Sequence, residues 1–157
     1  GLQIELDNAL PRADAQRMLA VYMLDLDGFK AVNDRLGHDT GDLLLKAVAQ
    51  RLRQNLRHRD VVARLGGDEF VVMATDLPGD EEAQRVGRKL LEAFEAPFDL
   101  HGQSCRVGLT IGYALAPLDG ADDASLLKRA DAAMYAGKQA GKHCLRRGGA
   151  SAGLVGV

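Results

Sequence analysis

The sequence predicts an α+β fold: an antiparallel-rich mixed sheet flanked by helices. Three observations point there. Leu19 to Leu24 is a continuous apolar run, as expected of a central strand buried on both faces. Val61 to Arg64 and Phe70 to Met73 are strand-like runs joined through Gly66-Gly67, a short hairpin signal. Between the strands, apolar residues recur at the helical period, and sequential hairpins mixed with helical crossovers are the pattern of helices packed on a sheet.

Each element follows in turn. Leu2, Leu6, Ala9 and Leu10 space a first helix that Pro11 stops. The central strand comes next and ends in Asp25 and Asp27. A short helical turn runs through Phe29, Lys30, Ala31 and Val32. Asp39 or Thr40 caps the following helix, whose stripe is Leu45, Val48, Ala49, Leu52 and Leu56. After the hairpin, Asp80, Glu81 and Glu82 open a helix with acids at its positive end. Its stripe is Ala83, Val86, Leu90 and Phe94, and Pro97 stops it. Phe98 to Leu100, with His101-Gly102 and Gln103 onward, form a small hairpin. Val107, Leu109, Ile111, Tyr113 and Leu115 alternate with small residues, a strand with one bulky face. The last helix starts near Asp122 to Ser125 and carries Leu127, Ala130 and Met134. Residues 1–146 are expected to form the domain, and 147–157 a flexible, low-complexity tail.

With 157 residues, 46% of them hydrophobic and 27% charged, the chain has the size and composition of one soluble domain. A net charge of −2 supplies no bulk basic field, so nucleic acid is not an expected partner. Cys105 and Cys144 stand far apart in no metal or redox spacing. No run approaches a membrane span or a signal-peptide core, so a cytoplasmic location is expected. The abrupt start suggests one domain of a longer protein.

Four groups of residues could carry chemistry. Asp25 and Asp27 lie two apart at a strand end and share a face of the sheet, and Asp68 begins a strand at the hairpin rim. Close carboxylates repel unless a proton or a cation lies between them, and magnesium is held by one or two carboxylates plus nucleotide phosphates. Solvated turn acids are the plainer alternative. Asn33 and Asp42 have short polar side chains suited to the edge of a guanine base, or equally to turns and caps. Lys138 and Lys142, four apart on a helix, could neutralise a polyphosphate or compensate the helix dipole. Arg57 and Asp60 could bind a planar phosphorylated ligand through a fork and an acceptor, or simply end a helix.

The motifs DLDGFKAVND, GHDTGD, DVVARLGGDEFVV, LTIGYA and ADAAMYAGKQAGK follow one another at the spacing of a known family. The chain resembles the GGDEF family, the diguanylate cyclases, from about Leu2 to Arg146. The resemblance implies a fold akin to nucleotide cyclases and the polymerase palm, with a ferredoxin-like core. It implies condensation of two GTP molecules to cyclic di-GMP, with loss of two pyrophosphates. By position, Asp25, the Leu26 carbonyl and Asp68 would hold Mg2+ or Mn2+, Glu69 would assist with a second ion, and Asp68 would act as base. Asn33 and Asp42, with His38 beside them, would read guanine, and Lys30, Lys138 and Lys142 would meet phosphates. Arg57 and Asp60 match an RxxD product-inhibition site, with Arg88 as its secondary arginine. A transient homodimer and an upstream sensor or partner domain are the implied partners.

Three departures stand out. The DxLTGLxNR stretch is absent, Gly141-Lys142-His143 replaces GRN, and Thr110 stands where serine is common. A second possibility is a catalytically silent module that binds GTP or cyclic di-GMP and regulates a partner. A third is a plain interaction or dimerisation domain that binds neither nucleotide.

Overall fold

The computed structural model describes residues 1–149 and the backbone of 153–155. In chain order the elements are α1 (Leu2–Ala9), a 3-10 turn (Leu10–Arg12), β1 (Met18–Asp27), α2 (Phe29–Leu36), α3 (His38–Gln54), β2 (Val61–Gly66) and β3 (Glu69–Leu77). They continue with α4 (Asp80–Ala93), β4 (Phe98–Leu100), β5 (Gln103–Cys105), β6 (Gly108–Ala116), α5 (Asp123–Gln139), β7 (Leu145–Arg147) and β8 (Gly153–Val155). Six strands form one sheet in the order β2-β3-β1-β6-β7-β8, and β4 and β5 pair separately. All pairs are antiparallel except β6 with β7. The α+β class and the antiparallel-rich mixed sheet are as expected.

Strand β1 is central, paired on one edge with β3 and on the other with β6. Its alternate residues feed two cores, which explains why the run has no polar side. Ala20, Tyr22 and Leu24 pack with Leu44, Val48 and Leu52 of α3 and Leu90 of α4. Leu19, Val21 and Met23 pack with Leu6 of α1 and Leu126, Ala130 and Met134 of α5. Arg51 of α3 ties its layer together: it donates to the carbonyls of Ala93, at the end of α4, and of Ala96 and Pro97 just after it, and its guanidinium lies 3.5 Å from the centre of the Phe98 ring. The small face of β6 exists because α5 lies directly on it. A Cβ on Gly112 would meet the Ala130 carbonyl oxygen and the Met134 nitrogen, each at 2.1 Å.

Several local expectations need correction. The hairpin turn is Gly67-Asp68, because Gly66 still pairs with Glu69, so Asp68 sits in the turn rather than opening a strand. Both glycines are nonetheless required, with φ of 148° at Gly66 and 53° at Gly67. Helix α3 begins at His38 after Gly37 and has no side-chain cap, so Asp39 and Thr40 lie inside its first turn. Asp122 does cap α5, by accepting from the Ser125 nitrogen, and Leu126 rather than Leu127 is its fully buried leucine. The expected boundary at Arg146 falls inside β7, a strand the periodicity missed because it is three residues long. Arg147, from the expected tail, bonds to Asp119 and Gly153–Val155 pairs with β7, while residues 150–152 and 156–157 lie outside the described residues.

The contact at Gly112 is backbone against backbone and cannot relax by a rotamer change. Gly112→Ala is expected to destabilise the fold by about 3 kcal/mol, read as a lower denaturant midpoint.

Candidate active site

The end of β1 and the β2–β3 hairpin bring the acids together. Asp25 stands opposite Glu69 in the ladder, and the Leu26 nitrogen donates to the Asp68 carbonyl at 3.2 Å. Asp25 is partly buried, and its Oδ1 is enclosed without a hydrogen-bond partner. Burial pushes its carboxyl up to about 7; Lys138 opposes the shift, and Asp68 and Glu69 add to it.

Asp27, on the same face, has a different part. It accepts from Thr110 Oγ1 at 2.7 Å, from Lys138 Nζ at 2.5 Å and from the His143 nitrogen at 2.8 Å. It thereby ties β1 to β6 and to the end of α5. Lys138 also donates to the Leu26 carbonyl at 3.1 Å and lies 3.7 Å from Asp25 Oδ2. The lysine expected to meet phosphate is thus the counter-charge inside the acid cluster. Lys142 does not share its helix face. Helix α5 ends at Gln139, and Lys142 stands exposed in a left-handed turn at φ 66°.

Among the described residues, no group of three or more His, Cys, Asp or Glu side chains forms a ready-made metal cage. The oxygen-only donors present suit a different design, in which one or two carboxylates hold a hard cation and phosphates complete its shell. The orphaned Asp25 oxygen beside Asp68 fits that design. The Leu26 carbonyl has a second lone pair beyond the one Lys138 uses.

Asn33 is half-buried, with its amide oxygen enclosed, unpartnered and pressed on α3 at Gly41, where a Cβ would lie 1.7 Å from that oxygen. Lys30, His38 and Asp42 are exposed. Asp42 lines a cleft of about 420 Å3 between α3 and the hairpin, together with Lys46 and Arg64; Asn33 does not line it.

Arg57 and Asp60 bond to each other. Arg57 Nη2 lies 2.8 Å from Asp60 Oδ1, Nε donates to the same carboxylate, and Nη2 also reaches the Thr75 carbonyl. The Asp60 side chain is only 1% exposed and its carboxylate holds the Arg57 guanidinium. The cleft beside them is lined from α4 by Arg85 and Lys89, while Arg88 lines a neighbouring cleft along α4. Composition could not separate these three cations, since only the helical phase decides which faces the pair.

The family model for the diguanylate cyclase GGDEF domain matches residues 1–144. This chain belongs to the GGDEF family. The GGDEF domain overlays the crystal structure of the TpbB GGDEF domain from Pseudomonas aeruginosa with a TM-score of 0.90, at 40% identity, over 94% of this chain and 92% of that one. The curated diguanylate cyclase TpbB is 44% identical over 85% of this chain, which spans 31% of that protein. The cyclic di-GMP phosphodiesterase NbdA of the same organism is 46% identical over 80% of this chain and 16% of its own length. The GGDEF domain of DgcB from Caulobacter crescentus, solved with c-di-GMP, is 26% identical with a TM-score of 0.79, over 94% of this chain and 88% of that one. The chain thus spans under a third of these two curated relatives. No helix among the described residues is long and apolar enough to cross a membrane.

Two predictions follow from the GGDEF domain's electrostatics. Asp25 holds its proton to about pH 7 when folded, against an ordinary 3.8. Between those values the folded protein binds more protons than the unfolded chain, so this carboxyl's contribution to stability falls as pH rises. In metal-free protein, Asp25→Asn is expected to raise the melting temperature at pH 8 by a few degrees and to matter little near pH 4. Equal melting temperatures at pH 8 would contradict the assignment. Arg57→Ala strands the buried Asp60 carboxylate, and a loss of about 1–3 kcal/mol on chemical unfolding is expected.

Proposed function

We propose that this GGDEF domain is an active diguanylate cyclase, joining two GTP molecules into cyclic di-GMP with release of two pyrophosphates. The observation that carries the reading is the buried, unpartnered Asp25 oxygen beside Asp68 at the mouth of the fold. In each bond-forming step, the 3′-oxygen of one nucleotide bonds to the α-phosphorus of the other. The bond from that phosphorus to the pyrophosphate oxygen breaks, and the hydroxyl proton passes to a base. Asp68, in the turn between β2 and β3, would be that base. Asp25, the Leu26 carbonyl and Asp68, with Glu69 beside them, would hold Mg2+ or Mn2+. A bound ion of that kind supplies neutralisation of charge on the phosphate oxygens.

The other residues bind and orient. Asp42 accepts from the guanine N1 and N2 hydrogens, with Asn33 and His38 flanking it. The exposed Lys30 and Lys142 meet phosphate oxygens. One such set serves one GTP, so two domains must face each other, as a transient two-fold pair brought together by segments outside this chain. Product inhibition would use the outer edge of Arg57 with Arg85 and Lys89, and Arg88 from the adjoining cleft.

A second reading, a silent GTP- or cyclic di-GMP-binding module, is favoured by one observation: Lys138 already supplies a cation to Asp25, Asp27 and Leu26. Turnover of GTP with magnesium separates the two. The cyclase reading expects pyrophosphate and cyclic di-GMP, a specific activity that rises with enzyme concentration in the dilute range, and a loss of roughly 100-fold or more in Asp68→Ala with its fold intact. GTP binding without pyrophosphate release would establish the silent module instead.

A further inference from the structure

His143 stands where the GRN motif has asparagine, and nothing in the reaction above uses it. It ends a turn of three consecutive residues at positive φ: 123° at Gly141, 66° at Lys142 and 41° at His143. Two residues with side chains persist in this conformation only where their surroundings hold them. The Lys142 nitrogen donates back to the Gly137 carbonyl at 3.0 Å. The His143 nitrogen donates to Asp27 Oδ2 at 2.8 Å and to Thr110 Oγ1 at 3.1 Å. The imidazole makes a further bond, in which its Nδ1 accepts from the Leu109 nitrogen at 3.1 Å.

That bond extends the edge of the sheet. The Ile111 nitrogen donates to the Cys144 carbonyl at 2.8 Å. Two residues back along β6, the Leu109 nitrogen meets the ring instead, so a side chain stands in for the next strand carbonyl. Gly108 makes room for it, since a Cβ there would lie 2.8 Å from Asp27 Oδ2 and 3.2 Å from His143 Nδ1. An accepting Nδ1 leaves the proton of the neutral ring on Nε2.

The consequence reaches the acids. The His143 amide holds Oδ2 of Asp27, while Oδ1 takes Thr110 and Lys138. Lys138 has two carboxylates in reach, Asp27 at 2.5 Å and Asp25 at 3.7 Å. An Asp27 carboxylate freed from the turn can rotate, and the ammonium then moves toward Asp25. We propose that His143 is a positioning residue for the divalent cation. Its Nδ1 pins the turn to β6, its amide fixes Asp27, Asp27 keeps Lys138, and Asp25 stays available to the ion. The inference rests on the reading of Asp25 as a cation ligand.

Two substitutions separate the ring's bond from the turn's conformation. Asparagine tolerates positive φ and carries an acceptor oxygen, whereas glycine tolerates positive φ and carries none. Mn2+ binding is read by electron paramagnetic resonance, with a GTP analogue whose α,β bridge is a methylene, so no turnover is needed. His143→Gly is expected to bind Mn2+ roughly 10-fold more weakly than the wild type, the usual loss when a group that orients a metal site is removed, and His143→Asn within about twofold of it. In a Lys138→Met background, His143→Gly should cost nothing further, because the competing ammonium is gone. Above neutral pH, the 15N spectrum of metal-free wild type should show His143, identified by its loss in His143→Asn, with its proton on Nε2. The proposal is overturned if His143→Gly keeps the wild-type affinity, if His143→Asn loses as much as His143→Gly, if the loss is the same with and without Lys138, or if the proton sits on Nδ1. Should His143→Gly not fold, the asparagine variant and the tautomer still decide. A wild type that binds no Mn2+ sinks the cation reading and the proposal together. Binding with the expected ratios but no cyclic di-GMP from GTP sinks the cyclase reading alone and upholds the proposal.

Discussion

The fold rests on one constraint: β1 must be buried on both faces and bonded along both edges, yet finish in acids. Ten residues satisfy it. Met18 to Leu24 and Leu26 supply apolar side chains to two cores, and Asp25 and Asp27 emerge at the sheet's end. A strand so enclosed cannot shift register without turning its core residues to the wrong face. Asp25 and Asp27 therefore take their positions from the packing of the whole domain, not from a mobile loop.

Charge balance at that end comes from a residue far away in the chain. Lys138 reaches from the last turn of α5 into the cluster, where Asp27 takes most of its attention. Asp27 also collects Thr110 and the turn at His143, so one carboxylate joins β1, β6 and the end of α5. Asp25 is left under-served, with one oxygen unpartnered and a proton held to about neutrality. Two acids two positions apart in β1 thus differ: Asp27 closes the structure, and Asp25 keeps one oxygen unpartnered.

Much of this was legible in the sequence, for physical reasons. The apolar run of β1, the glycines at the hairpin and the stripe of α4 each state their local structure directly. The alternation in β6 predicted a one-sided strand, and the packing of α5 gave the small side its cause. What was not legible depends on long-range or phase-dependent contacts. Lys138 and Asp27 are 111 residues apart, so no window contains both. Arg85, Arg88 and Lys89 are indistinguishable as composition and separate only by helical phase. The burial of Asp60 beneath Arg57, and the hold of its carboxylate on that arginine, depend on packing that composition does not show. Strand β7 was too short to leave a period.

The seat of α5 on Gly112 has a mechanical meaning. At Gly112 no side chain separates helix from strand, so the two backbones touch there and the helix cannot roll or slide about that point without a clash. Lys138 lies one turn beyond Met134 on the same helix, so the contact fixes where its backbone starts, and Asp27 and the Leu26 carbonyl hold its ammonium. A push delivered anywhere on this body is passed on as displacement of the whole. What a neighbouring segment can change is where the domain stands and which way its mouth points, leaving the arrangement of acids within the mouth as it was.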